Sequence, residues 1–495
     1  MHITSIRSAH APISASRVIF WQRCGVARCT PSDTLSAPDL DARVTCATTC
    51  GPGVNHVRRR LLHKVHCPHC WHTFRTEETL WVAAHPELRG DPLLSPDEPI
   101  RFLPSRFAVS GEALDENGSR CQRLACPRCH LGIPPALMEH PIRIFSLVGS
   151  PGSGKSYFLA AAAWQLRQKL PTGFALTFAD ADPLCNRIIA ENEERLFLQD
   201  DAQRLVYIEK TELAGAQYDS VQFDPGQPTL FPHPFLFTIR PMRDHVNGHG
   251  AEVLSEVLCL YDNAGEHFLP GADTPSAPGT QHLARSKNLF MVFDPLQDVR
   301  FRALLRDRVQ DPQLGQSSRA FRQDVVLQEM VDRVRRYAGL SSDAPVRQPL
   351  TVIVTKSDAW GPTLMPGIDI TSDPYATEVR PNGRRIGRVD KRRIEQVSTR
   401  IEAVISEAAP EFAAVVRDSS ERVLYVPVSA IGSSPELDTQ SGLLKVRPRD
   451  IRPSWVTVPF LYEFSRWGKI VGRVEDYGRE PERAAGREGW SDDGA

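Results

Sequence analysis

The sequence predicts a doubly wound α/β domain with a mostly parallel sheet and large inserts, preceded by a small domain built on paired cysteines. Three observations predict it. From Ile142 onward, continuous apolar runs alternate with helical patterns. The first run passes through a Gly-rich loop into a helix-like stretch. Before that point, two Cys-Pro-x-Cys units stand in a segment with no such alternation.

The runs are RIFSLV (143–148), PFLFTI (234–239), EVLCLY (256–261), NLFMVF (288–293), PLTVIV (349–354) and VLYVPV (423–428). Continuous rather than alternating apolar strands suit a parallel sheet covered by helices on both faces. Three inserts interrupt the pattern. Residues 173–228 read as irregular and rich in Pro and Gly. Residues 296–345 hold a helix from Arg319 to Ala338 with Phe321, Val325, Val331 and Val334 on one face, closed by Gly339. Residues 360–420 hold an Asn382-Gly383 hairpin signal and a helix through Ile394, Val397, Ile401 and Val404. The expected organisation is an extension over 1–57, a disordered segment or one translated from a start assigned too far upstream. It continues with the cysteine-bearing domain over 58–140, the α/β domain over 141–475 and a disordered tail over 476–495.

Composition narrows the class. The 495-residue chain is 41% apolar and 24% charged, the usual mixture for a soluble globular protein. Its formal net charge of -1 supplies no long-range attraction to nucleic acid or an anionic membrane. No apolar run reaches bilayer-spanning length, the longest being FLAAAAWQL at Phe158 to Leu166. Cysteines grouped as metal knuckles, with no secretory signal before them, point to a reducing, cytoplasmic setting.

Gly149-Ser150-Pro151-Gly152-Ser153-Gly154-Lys155-Ser156 fits G-x-x-x-x-G-K-[ST] between a strand and a helix that continues through Tyr157. Glycines let backbone N–H groups curl around a phosphate, Lys155 can reach the β- and γ-phosphates, and the Ser156 hydroxyl can ligate Mg2+. Thr355-Lys356-Ser357-Asp358 follows the fifth run, at the carboxyl edge where α/β sheets bind ligands. A carboxylate there can accept from guanine N1–H and the 2-amino group, and the Lys356 stem can lie across a base. Val428-Ser429-Ala430 closes the sixth run, where a small residue lets a backbone N–H approach guanine O6. Between loop and base motif lies LYDNAGEHF, residues 260–268.

With GSPGSGKS, DNAG, TKSD and VSA in order, the chain over about 142–432 resembles the P-loop GTPases of the Ras-like and translation-factor superclass. The resemblance implies GTP and Mg2+ as ligands. It gives Asp262 to the magnesium shell, the Gly265 N–H to the γ-phosphate, and Lys356, Asp358 and Ala430 to guanine. The switch-one threonine is read as Thr229, with Thr211 and Thr238 as competitors. Thr355 stands where many relatives carry Asn, which puts loop-to-loop bracing in doubt. Glu266 stands where many carry a water-positioning Gln; it could orient water, but it sets negative charge beside a polyanion.

Cys67-Pro68-His69-Cys70 and Cys126-Pro127-Arg128-Cys129 can together complete a tetrahedral Zn2+ site of structural kind. Cys121, His66, His69 and His130 are the alternative ligands. A ribbon ending CPRCHLGIPPALMEHP before the first strand, with WVTVPFLYEFSRW near the carboxyl end, is similar in layout to the bacterial double-GTPase family of conflict and defence systems. That resemblance implies a GTP-hydrolysing molecular switch acting on protein effectors or other GTPases. The competing readings are a nucleotide-dependent scaffold with negligible turnover and a nucleic-acid-associated GTPase. The basic cluster of Arg380, Arg384, Arg385, Arg388, Lys391, Arg392, Arg393 and Arg400 reads first as a solvated face. Its other readings are a surface for a phosphate-bearing partner and an arginine supplied in cis.

Overall fold

The computed structural model describes residues 61–210, 217–224, 227–250, 254–269, 280–315, 322–466 and 470–473. The expected extension over 1–57 and tail over 476–495 lie outside these residues, as do Thr211 and Phe321.

A seven-stranded sheet carries the larger part of the chain. Its elements, in order, are β1 (Ile142–Gly149), α1 (Lys155–Phe174), β2 (Leu176–Asp180), α2 (Arg187–Phe197), β3 (Phe235–Pro241), β4 (Glu256–Asp262) and β5 (Asn288–Phe293). There follow α3 (Gln323–Ala338), β6 (Leu350–Val354), α4 (Ser357–Leu364), α5 (Lys391–Ala408), α6 (Pro410–Ser419), β7 (Val423–Pro427) and α7 (Val458–Arg466). The strand order is β2-β3-β4-β1-β5-β6-β7. Strands β4, β1, β5, β6 and β7 are mutually parallel, whereas β3 runs antiparallel to both of its neighbours. All six apolar runs are strands of this sheet.

The first insert differs from its irregular reading. Helix α1 continues through Pro171, and Ala175 in the left-handed region (φ 52°) turns the chain back at once into β2. The insert also holds α2 and an antiparallel hairpin of Tyr218–Asp224 with Gln227–Pro232. In the second insert, α3 buries Val326, Leu327, Met330, Val331 and Val334, so its inward face is rotated from the expected one and Val325 is only half-buried. Gly339 closes it in the left-handed region, as expected. In the third, the Asn382-Gly383 turn joins Tyr375–Val379 to Arg385–Val389, and α5 buries Ile394, Val397 and Ile401.

The two faces of the sheet are covered differently. On one, Phe460 of α7 stacks on Phe158 of α1 (5.9 Å) and Phe145 of β1 (6.0 Å) and meets Phe290 of β5 edge-on (5.2 Å). On the other, alternate residues of β4 (Val257, Cys259 and Tyr261), with Ile144 and Leu236, form one apolar cluster with Val65, Trp71, Phe74, Leu124 and Ile133 of the cysteine segment. That segment therefore acts as a covering layer of the sheet. The stretch between its cysteine pairs, with Gly132–Ile133 just after the second pair, supplies a four-stranded antiparallel sheet from Leu80–Val82, Arg101–Phe102, Leu124–Ala125 and Gly132–Ile133.

The basic cluster of the third insert is largely engaged within the chain. Arg380 and Arg388 pair with Glu378, Arg385 with Asp244, Lys391 with Glu395 and Arg393 with Asp369. Arg384 donates to His245 O and Val246 O, both at 3.2 Å. No helix among the described residues is long and apolar enough to cross a membrane.

Because Phe460 is fully buried against three aromatic rings, Phe460→Ala should destabilise the chain by about 3–5 kcal/mol. Chemical denaturation of the full chain measures this.

Candidate functional site

The carboxyl ends of β1, β4, β5, β6 and β7 converge on one edge, and each loop leaving it touches another. Gly152 (φ 74°) and Gly154 (φ 92°) adopt left-handed backbone, which curls the loop after β1 and starts α1 at Lys155. Lys155 is buried, and its Nζ donates to Gly149 O (3.0 Å) and Ser150 O (3.1 Å) of its own loop. Burial lowers its pKa, with the Asp262 and Glu266 carboxylates opposing that shift. The buried Ser153 Oγ has no hydrogen-bond partner among the described residues. Ser156 Oγ donates to Asp262 Oδ2 (2.7 Å), joining the helix start to the end of β4. A loop of this shape, with a buried ammonium and an unpartnered hydroxyl, is suited to an anion.

Gly265 lies directly on the phosphate loop. A Cβ there would stand 2.7 Å from Ser150 C and 2.8 Å from Gly149 O, so only glycine permits the approach. The next residue, Glu266, pairs with Lys210 of the first insert. Partial burial raises the Glu266 pKa, but the Lys210 ammonium, a backbone N–H and Lys155 together outweigh it and the net shift is downward. The segment then runs onto the fully buried Arg333 of α3, which donates to His267 O (2.5 Å) and Leu269 O (3.2 Å) and pairs with Glu329. That anchor fixes the far end of the segment.

The second half of the edge is equally connected. Thr355 Oγ1 lies 3.1 Å from Ser153 O and 3.2 Å from Phe293 O, so the bracing that its replacement of Asn put in doubt is present. Lys356, itself left-handed (φ 57°), donates through Nζ to the buried Asp294 Oδ2 at 2.5 Å. Ser429 Oγ donates to Asp358 Oδ1 (2.5 Å) and accepts from Gly432 N (2.7 Å). Burial raises the Asp358 pKa, with the Ser429 bond opposing it. Ala430 follows, half-buried against the core.

Not every expected residue joins this edge. Thr229 pairs across the hairpin with Val221, on the strand face that sends Val221 and Phe231 into the cysteine-segment cluster. Thr238 is inside β3, its hydroxyl on Ala179 O (3.3 Å). The Tyr157 hydroxyl accepts from Ile208 N (2.9 Å), so its side chain serves the first insert. Sequence patterns gave no sign of Gln297, which accepts from Ser150 Oγ (2.7 Å) and donates to Pro151 O (3.0 Å). Nor did they mark Asp294, Lys210 or Arg333, whose roles depend on contacts across the chain.

The four cysteines form a second site. Cys67, Cys70, Cys126 and Cys129 are buried with their sulfurs within 4.8 Å of one another, and the Cys67–Cys129 and Cys70–Cys126 pairs are 3.7 Å apart. Ligands about 2.3 Å from a tetrahedral zinc lie about 3.8 Å from each other. Backbone N–H groups of His69, Cys70 and Arg128 point at the sulfurs, at 3.4–3.5 Å. Trp71 and His130, each just after a knuckle, share a left-handed backbone (φ 57° and 61°). The donor set fits zinc. The alternative ligands are otherwise engaged: Cys121 beside Asp115, His66 on Thr73, His130 on Asp91 and His69 on Gly132 O.

No protein-family model matches the sequence, and no curated protein matches it. Among solved structures, the chain is similar to sup35 complexed with GDP, at 11% identity and a TM-score of 0.19, over 59% of this chain and 38% of that one. It is similar to the signal recognition particle receptor SRb-GTP/SRX complex from Chaetomium thermophilum, at 12% identity and 0.22, over 61% of this chain and 96% of that one. A third similarity is to the S. cerevisiae Ski7 GTPase-like domain bound to GTP, at 12% identity and 0.26, over 67% and 52%. Likenesses this distant leave function to the chain's own geometry.

The full chain should carry about one zinc, as a single tetrahedral four-thiolate site requires. Elemental analysis checks this, and Cys126→Ser should lose the metal.

Proposed function

We propose that this chain is a GTP-binding molecular switch that hydrolyses GTP slowly. The observation that carries the reading is the Thr355 bridge to Ser153 O, because it joins a candidate base-reading loop to a candidate phosphate loop in one site. On this reading, residues 149–156 cradle the phosphates, and Lys155 turns from its own carbonyls to the β- and γ-phosphates. Ser156 and Asp262, already paired, would hold magnesium, the hydroxyl as a ligand and the carboxylate in its outer shell. The magnesium would supply charge neutralisation along the phosphates. Gly265 offers its N–H to the γ-phosphate. Asp358, oriented by Ser429, accepts from guanine, and Ala430 presents its N–H to O6. Thr229 reaches magnesium only if the hairpin that carries it rearranges.

Hydrolysis needs an attacking water held in line and charge stabilised on the transferred group. Glu266 is the residue placed to orient that water, and its pairing with Lys210 offsets the repulsion its carboxylate would exert. The same pairing favours a second reading, in which Glu266 is withheld and the chain is a nucleotide-dependent scaffold with negligible turnover. The layout resemblance to double-GTPases supports a place in a bacterial multi-protein conflict or defence system, with protein effectors or other GTPases as partners. Nucleic acid is the less favoured partner, since most of the basic cluster is paired within the chain. The zinc knuckles are structural, and a cytoplasmic location goes with their reduced thiols.

Asp358→Asn replaces an acceptor with an amide that can donate to a 2-oxo group, so nucleotide preference should move from guanine toward xanthine by on the order of 100-fold. Competition between GTP and XTP measures it, and an unchanged preference refutes the base assignment. Lys155→Ala should abolish tight triphosphate binding. In single-turnover hydrolysis, Glu266→Ala should be slower than the parent if Glu266 orients water. Equal rates for the parent, Glu266→Gln and Glu266→Ala would favour the scaffold.

A further inference from the structure

The metal knuckles are joined directly to the end of β4. Tyr261, fully buried and immediately before Asp262, accepts through its hydroxyl from Trp71 Nε1 (3.0 Å) and donates to Pro68 O. Pro68 lies between Cys67 and Cys70, and Trp71 directly follows Cys70. The Tyr261 ring is stacked on His282 at 4.3 Å, which leaves it little freedom to adjust alone. The same knuckle reaches the first insert. His69 donates through Nε2 to Gly132 O (3.0 Å), and its Nδ1 lies 3.3 Å from Asp219 Oδ2. Asp219 follows Tyr218, the first residue of the hairpin, whose ring lies 5.4 Å from that of His267. One four-residue knuckle therefore contacts both segments that flank the Ser156–Asp262 pair.

Successive residues of a strand point to opposite faces but share one backbone. Tyr261 and Asp262 are such a pair, so a shift of the knuckle that moves the tyrosine must move the aspartate. Four buried thiols held 3.7 Å apart in pairs fit one tetrahedral metal, which would cross-link them and whose loss would release that geometry.

We infer that Tyr261 is a positioning residue that couples metal occupancy of the cysteine site to the magnesium-side geometry of Asp262. The inference rests on the GTP reading. Coupling between two sites is reciprocal, so magnesium and GTP bound at one must slow metal loss from the other.

The test uses the full zinc-loaded chain and a zinc-selective chromogenic chelator, with release followed with and without GTP and magnesium. A coupling equal to one buried hydrogen bond predicts release about fivefold slower with GTP and magnesium. Tyr261→Phe keeps the ring and removes the hydroxyl. It should abolish the slowing and raise the magnesium needed to retain GTP about fivefold, with magnesium-free nucleotide affinity unchanged. Trp71→Phe removes the other half of the contact and serves if Tyr261→Phe fails to fold. Parent protein that binds GTP but releases zinc at one rate under both conditions overturns the coupling alone. Parent protein that binds no GTP overturns the GTP reading and the coupling with it, and a chain isolated without bound metal overturns the coupling at its first step.

Discussion

A buried ammonium sets the terms for the edge of the sheet. Lys155 is held where burial works against its charge, with two carbonyls of its own loop as hydrogen-bond partners. Such a group is costly to keep unless a stronger anion arrives, and the surrounding loops are arranged to admit one. Glycines keep the loop close, Ser153 leaves a hydroxyl unpartnered, and the nearest carboxylates, Asp262 and Glu266, are each held by a side chain. The loop after β6 is braced against this same loop through Thr355. The connected edge follows from accommodating one charge.

Three carboxylates along this edge of the sheet take different forms. Asp294 is fully buried and meets the Lys356 ammonium. Asp358 is buried against a serine hydroxyl, leaving it able to accept from a neutral donor. Glu266 is partly exposed and meets an amine from a distant insert. Sequence spacing identified the second and third as acids of interest, but their partners are separated from them by long stretches of chain.

What could be read from the sequence was what depends on local order. Runs such as NLFMVF carry their own signal because a strand buried on both faces needs no polar alternation. The cysteine quartet was legible because two thiolates spaced by two residues suffice to mark a knuckle. Strand β2 was not, because Pro171 and Gly173 read as a helix end yet lie inside α1, and the turn falls on the left-handed Ala175 instead. Helix α2 did carry a signal in Ile189, Glu193 and Leu196, all buried on one side, but the Pro- and Gly-rich surroundings masked it. The Thr355 brace was undervalued because a hydroxyl on a short side chain reaches the same carbonyl only when the two loops already lie close. Thr229 illustrates the opposite error: its position before β3 suggested a site residue, while pairing with Val221 turns it toward the cysteine segment.

The shared core beneath β4 has a consequence for the order in which the protein is made. Translation delivers the knuckles well before Val257, Cys259 and Tyr261 leave the ribosome. During that interval Trp71 and Phe74 have no strand to cover them. The nascent segment must then wait, half-finished, for a surface encoded more than a hundred residues downstream, as the Trp71–Tyr261 bond attests. The order of synthesis thus makes the cysteine segment the template, and β4 the strand that must find it.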